Sequence, residues 1–227
     1  MPFAEAVALL RAGDALAARS LLLVAPEGAE RDFLLGACAH ALGEVPEALR
    51  AFSAALQRNP AHAQAACALG SLWAGLGRPA EAEALFRQTL THNDDPQLHF
   101  NLGVLREQQG DVVAARAAYA AALARDPGHY GARHNRAGLA AAQRQWQEAA
   151  DDYRELIRRH PEVTLPWHNL AELELAQGRY AEAQRLLQEV LAREPDNGKA
   201  WLSQAVAQAA AGQLAESAAS FARLGEV

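Results

Sequence analysis

A 34-residue period organises most of this 227-residue chain. Proline closes the same kind of apolar stretch in "ALQRNP", "AALARDP", "LIRRHP" and "VLAREP", at Pro60, Pro127, Pro161 and Pro195. A glycine series runs in the same phase at intervals of 34 or, once, 33 residues, with arginine in one place: Gly43, Gly77, Gly110, Arg144, Gly178 and Gly212. A period of this length is typical of stacked structural repeats, which bury their apolar faces only against neighbouring copies.

Two further series keep the same phase. The alanine series is Ala48, Ala82, Ala115, Ala149 and Ala183. The series of large apolar residues is Phe52, Phe86, Tyr119, Tyr153, Leu187 and Phe221. Four series in one phase indicate tandem copies of a single unit.

Each unit reads as two helices. In "AQAACALGSLWAGLG", Leu69, Leu72, Trp73 and Leu76 recur at spacings of three and four, which predicts an amphipathic helix. The glycine that follows, Gly77, is suited to the left-handed conformation that ends a helix.

The second helix follows directly in "PAEAEALFRQTL". Ala82, Leu85, Phe86 and Leu90 share one face, where the alanine permits close contact with the first helix and the aromatic ring fills the gap. Proline in the next connection prevents the helix from continuing. The unit is therefore predicted to be an antiparallel helical hairpin.

These residues resemble the tetratricopeptide repeat. The match follows the family motif in order through Leu69, Gly70, Trp73, Gly77, Ala82 and Phe86. The resemblance implies an all-α fold, a right-handed α-solenoid of stacked hairpins. It places repeats at 29–62, 63–95, 96–129, 130–163, 164–197 and 198–227, after a degenerate hairpin at 1–28.

The composition of the chain argues against nucleic acids and membranes as binding partners. The net charge of -6 and pI of about 5.8 give no broad basic field for nucleic acid or an anionic membrane. No apolar run approaches ~20 residues, so no membrane span is expected. The short apolar run at the N-terminus contains Glu5 and supports neither a secretory signal peptide nor a membrane anchor.

The chain has two cysteines, Cys38 and Cys67, each in an apolar stretch of sequence. They are predicted to be buried thiols in a protein of a reducing, cytoplasmic compartment.

Three asparagines recur at one place in successive repeats: Asn101, Asn135 and Asn169 are 34 residues apart. An amide both donates and accepts hydrogen bonds, as an extended peptide backbone does. The row is similar to the asparagine ladder of the tetratricopeptide superhelix of O-linked N-acetylglucosamine transferase, which grips substrate backbone. The resemblance implies that these amides bind an extended peptide or protein segment in the concave groove.

Other side chains are secondary candidates for the same groove. His134 and His168 each precede a ladder asparagine, while Phe100 offers apolar surface and Glu172 lies beside Asn169. Two imidazoles without a third ligand indicate groove-lining residues more than a metal site.

Arg133 and Arg136 replace large or apolar residues of the repeat. Either they reach an acid such as Asp151, Asp152 or Glu172, or they form an anion-binding spot.

No catalytic site or cofactor is predicted within these residues, because no phosphate loop, nucleophile elbow or metal set is present. The "HND" at His92 to Asp94 reads as an inter-repeat loop. Two alternatives remain open. The array is the substrate-recruiting region of a larger glycosyltransferase, sulfotransferase or oxygenase, or it is a scaffold that forms homo-oligomers through an uncapped last repeat containing Phe221 and Leu224.

Overall fold

The computed structural model describes residues 2–225, which form fourteen helices joined by short turns and contain no strand. In chain order they are α1 (Pro2–Arg11), α2 (Ala15–Leu23), α3 (Ala29–Ala41), α4 (Val45–Arg58), α5 (Ala63–Gly75), α6 (Pro79–Leu90), α7 (Pro96–Gln108), α8 (Val112–Arg125), α9 (Tyr130–Ala142), α10 (Trp146–Arg159), α11 (Thr164–Ala176), α12 (Tyr180–Arg193), α13 (Gly198–Ala210) and α14 (Leu214–Leu224). Each odd-numbered helix packs on the even-numbered helix that follows it. The predicted all-α class of helical hairpins is confirmed.

The chain divides into two compact units. Unit 1, Met1–Pro127, contains α1 to α8, and unit 2, Gly128–Val227, contains α9 to α14. Each unit has its own apolar core: Phe86 and Leu98 lie in a core of unit 1, and Tyr153 and Leu187 in that of unit 2. The predicted boundary between a hairpin at 1–28 and an array at 29–227 stays a prediction.

Most of the hairpin turns depend on backbone that glycine adopts most readily. Gly77 has φ of +74°, and the other members of its series have similar values. Arg144, which replaces glycine in one repeat, also has a positive φ, 58°. The predicted helix-ending role of the series is confirmed, including the position without glycine.

Replacing Arg144 with glycine is expected to stabilise the protein. A Cβ in left-handed backbone costs roughly 1–2 kcal/mol, and the higher entropy of glycine in the unfolded chain offsets part of that gain. We expect Arg144→Gly to raise the free energy of unfolding by about 0.5–1 kcal/mol in urea titration. The reverse change at the equivalent turn, Gly178→Arg, is the control and is expected to destabilise. A loss of stability in Arg144→Gly would contradict the argument.

Small residues on the first helices let the aromatic rings of the second helices come close. A Cβ on Gly70 would lie 2.3 Å from Phe86 Cε1, so only glycine fits beneath that ring without displacing it. Gly36 and Gly103 stand in the same relation to Phe52 and Tyr119. In unit 2 the corresponding residues of the first helices are alanines: Ala137, Ala171 and Ala205.

Candidate functional site

A cleft in unit 1 lies between the first helices of two neighbouring hairpins, α5 and α7, with Phe86 of α6 in its wall. Its volume is about 270 Å³. The residues around this unit-1 cleft are Gly70, Ser71, Ala74, Gly75, Phe86, Asn101, Val104, Leu105 and Gln108.

A cleft in unit 2 is built in the same way from α9, α10 and α11. Its volume is larger, about 460 Å³. The residues around this unit-2 cleft are His134, Gly138, Ala141, Trp146, Tyr153, Asn169, Glu172, Leu173 and Ala176.

Seven of the nine lining residues of each cleft correspond to residues of the other, two repeats apart. At offsets of 67 or 68 residues the lining pairs are Ser71 and Gly138, Ala74 and Ala141, Phe86 and Tyr153, Asn101 and Asn169, Val104 and Glu172, Leu105 and Leu173, Gln108 and Ala176. Each cleft thus contains one member of the asparagine row in its wall.

The amide of Asn101 is held by its own unit. Gln97 Nε2 donates to Asn101 Oδ1 at 3.0 Å. On the neighbouring α5, burial raises the pKa of the Cys67 thiol to about 12 and the charge of Asp95 adds to the rise, while a hydrogen bond with Asn101 opposes it. Asn101 is therefore oriented by one partner on its own helix, α7, and by another on the neighbouring first helix, α5.

Asn169 is held differently, by a residue on the second helix of the preceding hairpin. It hydrogen-bonds Tyr153, whose pKa is raised by burial against the lowering effect of this bond. Tyr153 is itself 4% exposed, so the amide is fixed to a rigid core residue.

Asn135 lies partly buried on α9 and is not among the residues that line the unit-2 cleft. Its peptide-binding role, like that of the other two asparagines, stays a prediction. Phe100 packs against Tyr119 in unit 1, with ring centroids 5.8 Å apart, and does not line the unit-1 cleft.

The two histidines occupy different surroundings. His134 stacks on Tyr130 at 6.0 Å between ring centroids and meets the edge of Tyr153 at 6.2 Å. His168 Nε2 lies 3.7 Å from Glu172 Oε1. Within residues 2–225 no three His, Cys, Asp or Glu side chains are grouped so as to hold a metal ion.

Arg133 and Arg136 reach a buried acid. Arg136 Nε and Nη2 donate to the two oxygens of Asp152 at 2.8 and 2.7 Å, and Arg133 Nη1 donates to Oδ1 at 2.9 Å. Asp152 lies on α10 with its side chain 4% exposed. The predicted pairing of these arginines with an acid is observed, and their role in a binding groove stays a prediction.

The connection at His92 to Asp94 lies between α6 and α7, as predicted. Asp94 Oδ1 accepts from Arg125 Nε at 2.6 Å and contacts His99 Nε2 at 2.7 Å. The hydrogen bond from Arg125, followed by that from His99, lowers the Asp94 pKa to about 2. This acid fixes a loop to the following hairpin.

Sequence reasoning missed Trp146 and Tyr153 as cleft residues. Both belong to α10, the second helix of a hairpin, whereas the candidates predicted on either side of it, Asn135 and Asn169, lie on first helices. The small residues Gly138 and Ala141 on the facing first helix carried the available signal, because small side chains there leave room for large ones to reach the surface between first helices.

A family model described as the tetratricopeptide repeat matches residues 39–95, 67–130, 100–164 and 168–226. The chain belongs to the tetratricopeptide repeat family. No curated protein sequence gave a match. Among residues 2–225, no helix of this tetratricopeptide array is both long and apolar enough to cross a bilayer.

Solved structures share the fold at low sequence identity. A tetratricopeptide repeat protein from Parabacteroides merdae is 18% identical over 99% of this chain and 91% of its own, with a TM-score of 0.64. PilW, a widely conserved type IV pilus biogenesis factor, is 20% identical over 88% of this chain and 93% of its own, with a TM-score of 0.70. YrrB, described as a tetratricopeptide protein with an unusual peptide-binding site, is 17% identical over 75% and 88%, with a TM-score of 0.61. These likenesses show that the fold is shared. The family match supports a protein-protein interaction module.

Proposed function

We propose that this array binds an extended peptide or protein segment through its first-helix surfaces, with Asn101, Asn135 and Asn169 contacting the peptide backbone. The observation that carries the proposal is the repeated placement of a held amide, Asn101 and Asn169, in the wall of two equivalent clefts. YrrB, a structural neighbour described by its peptide-binding site, agrees with this class of function.

The side-chain amides of Asn101 and Asn169 are already oriented, which suits them to binding a peptide backbone. A peptide backbone offers alternating N–H and C=O groups, and an asparagine has two donor hydrogens and two acceptor lone pairs. The bonds to Gln97 and Tyr153 use only part of that capacity. Because these side chains are fixed before the peptide arrives, little rotamer entropy is lost on binding.

The expected affinity is modest. Each net hydrogen bond contributes about 0.5–1.5 kcal/mol, so three amides supply a few kcal/mol before the cost of ordering the peptide. A micromolar dissociation constant corresponds to a binding free energy of about -8 kcal/mol. Reaching it therefore requires that peptide side chains contact the clefts as well.

The test is a selection of random linear peptides on the wild-type array, followed by affinity measurement on a variant with Asn101, Asn135 and Asn169 all changed to alanine. We expect selected peptides to bind the triple variant at least tenfold more weakly, the loss of roughly one to two net hydrogen bonds. Circular dichroism checks that the triple variant is folded.

Asn59→Ala is the matched control. Asn59 Oδ1 accepts from Ala61 N in the turn between α4 and α5, outside both clefts. We expect this control to retain wild-type peptide affinity. Equal affinity of wild type and folded triple variant would overturn the backbone-reading role.

The two other functional alternatives stay predictions. For the recruiting region of a larger enzyme, the same clefts would hold the substrate protein. For the homo-oligomeric scaffold, one observation is favourable: apolar side chains are exposed on the last hairpin, namely Leu202, Val206, Leu214 and Phe221.

A further inference from the structure

Trp146 differs from the other tryptophans of the chain. Three of the four tryptophans each have an arginine guanidinium over the ring, at 5.4, 5.1 and 6.0 Å from the centroid: Arg78 over Trp73, Arg193 over Trp167, and Arg223 over Trp201. Trp146, which lines the unit-2 cleft, has no such cation among residues 2–225. A tryptophan face is the best aromatic acceptor for a cation.

A carboxylate lines the same cleft. The Glu172 side chain is 49% exposed. Its contacts with Ser203 Oγ and His168 Nε2 are both made by Oε1, and Oε2 has no partner among the described residues. One carboxylate oxygen is thus available for a charge-assisted hydrogen bond.

The unit-1 cleft has neither group. Val104 stands where unit 2 has Glu172, and Pro79 stands where it has Trp146. The unit-2 cleft is also the larger, about 460 against 270 Å³, and within the range of small-ligand sites. The two clefts therefore offer the same amide but different side-chain chemistry.

We infer that the unit-2 cleft binds the cationic side chain of an arginine or lysine in a bound peptide. This inference rests on the proposed peptide-binding function. The ring of Trp146 faces the cation, Glu172 Oε2 accepts its N–H, and Asn169 contacts the adjoining backbone. Arginine is favoured over lysine, because a planar guanidinium can stack on the indole while it donates to the carboxylate.

The direct test uses a small probe that needs no known partner. The whole protein is titrated with N-acetyl-arginine N-methylamide at millimolar concentration, and the four tryptophan indole N–H signals are followed by NMR. We expect the Trp146 signal to shift in a saturable way, while Trp73, Trp167 and Trp201 serve as internal controls. N-acetyl-lysine N-methylamide is expected to act more weakly and the norleucine analogue not at all.

Variants separate the two contacts. Glu172→Gln keeps the shape of the side chain, and we expect it to weaken probe binding about tenfold. Glu172→Val gives the residue found in unit 1 and is expected to behave likewise. Trp146→Leu is also expected to weaken binding, with the backbone amide spectrum as the reporter. An unshifted Trp146 signal, or equal response to arginine and norleucine probes, would overturn the inference.

The selected peptides distinguish this inference from the proposed function. If they contain one recurrent arginine or lysine and lose affinity in both Glu172→Gln and the triple asparagine variant, both are supported. Peptides that depend on the asparagines but tolerate Glu172→Gln and lack a recurrent basic residue would overturn the cationic pocket and leave backbone recognition standing. An arginine-specific shift at Trp146 without any selected peptide would support the pocket and count against the peptide-binding function.

Discussion

Asp152→Ala is expected to lower the free energy of unfolding by about 3–5 kcal/mol, because it removes the acid that both Arg133 and Arg136 contact and leaves their charges in a mostly buried setting. The three side chains join α9 to α10 through three hydrogen bonds of 2.7 to 2.9 Å. Denaturant unfolding measured on the whole chain would show the change as a lower midpoint. An unchanged midpoint would contradict this account.

Asp151→Ala is the neighbouring control. Asp151 pairs with Arg154 at 3.2 Å on the surface of α10, with both side chains more than half exposed. Exposed pairs typically contribute about 0–1 kcal/mol, so a small change is expected.

A second variant tests whether the charged cluster itself stabilises the hairpin. The next repeat has apolar residues at the three equivalent places, Trp167, Leu170 and Leu186. The combined change Arg133→Trp, Arg136→Leu and Asp152→Leu is expected to be neutral or stabilising by about 1–4 kcal/mol, because no charge is then desolvated. A variant as unstable as Asp152→Ala would show that the ion pairs outweigh apolar packing at this place.

Phe86→Ala is expected to cost about 3–5 kcal/mol, because it removes a nearly fully buried ring and leaves a cavity. Phe86 is 2% exposed and lies against Gly70, whose missing side chain makes room for the ring. The same ring also forms part of the wall of the unit-1 cleft. Thermal and denaturant unfolding would measure the loss.

Phe221→Ala is a control from the same register of the repeat. Phe221 is 45% exposed on α14, so its truncation removes far less buried surface, and we expect a loss below about 1 kcal/mol. Equal effects of the two substitutions would mean that the repeat position, rather than burial, decides the contribution of the aromatic residue.

The repeat could be predicted from the sequence because the features that identify it are local. The helix assigned to "PAEAEALFRQTL" is α6, and the turn ended by Gly77 has the left-handed backbone that a glycine there suggests. Even Arg144 could be placed in a turn, because the phase of its neighbours required one. Such features depend on helix periodicity and on the backbone preferences of proline and glycine within a few residues.

The candidate site could be predicted from the sequence only in part. The phase of Asn101 and Asn169 indicated that the two amides share a position, and the structure puts both in the walls of clefts. Their bonds to Gln97 and Tyr153 did not follow from that phase. Nor did the choice of Asp152, over Asp151 or Glu172, as the acid that pairs with the arginines.

By itself the sequence determined the class of fold, the helical hairpin, the places where helices end and the register that groups equivalent residues. Those properties follow from spacing along one chain. Only the tertiary structure decided which side chains come together: Asp152 pairs with its two arginines, Asn169 bonds Tyr153, and Glu172 and Trp146 line the same cleft. The physical reason is that hydrogen bonds, ion pairs and burial depend on distances between helices, and residues with identical spacing in sequence acquire different neighbours when their helices pack.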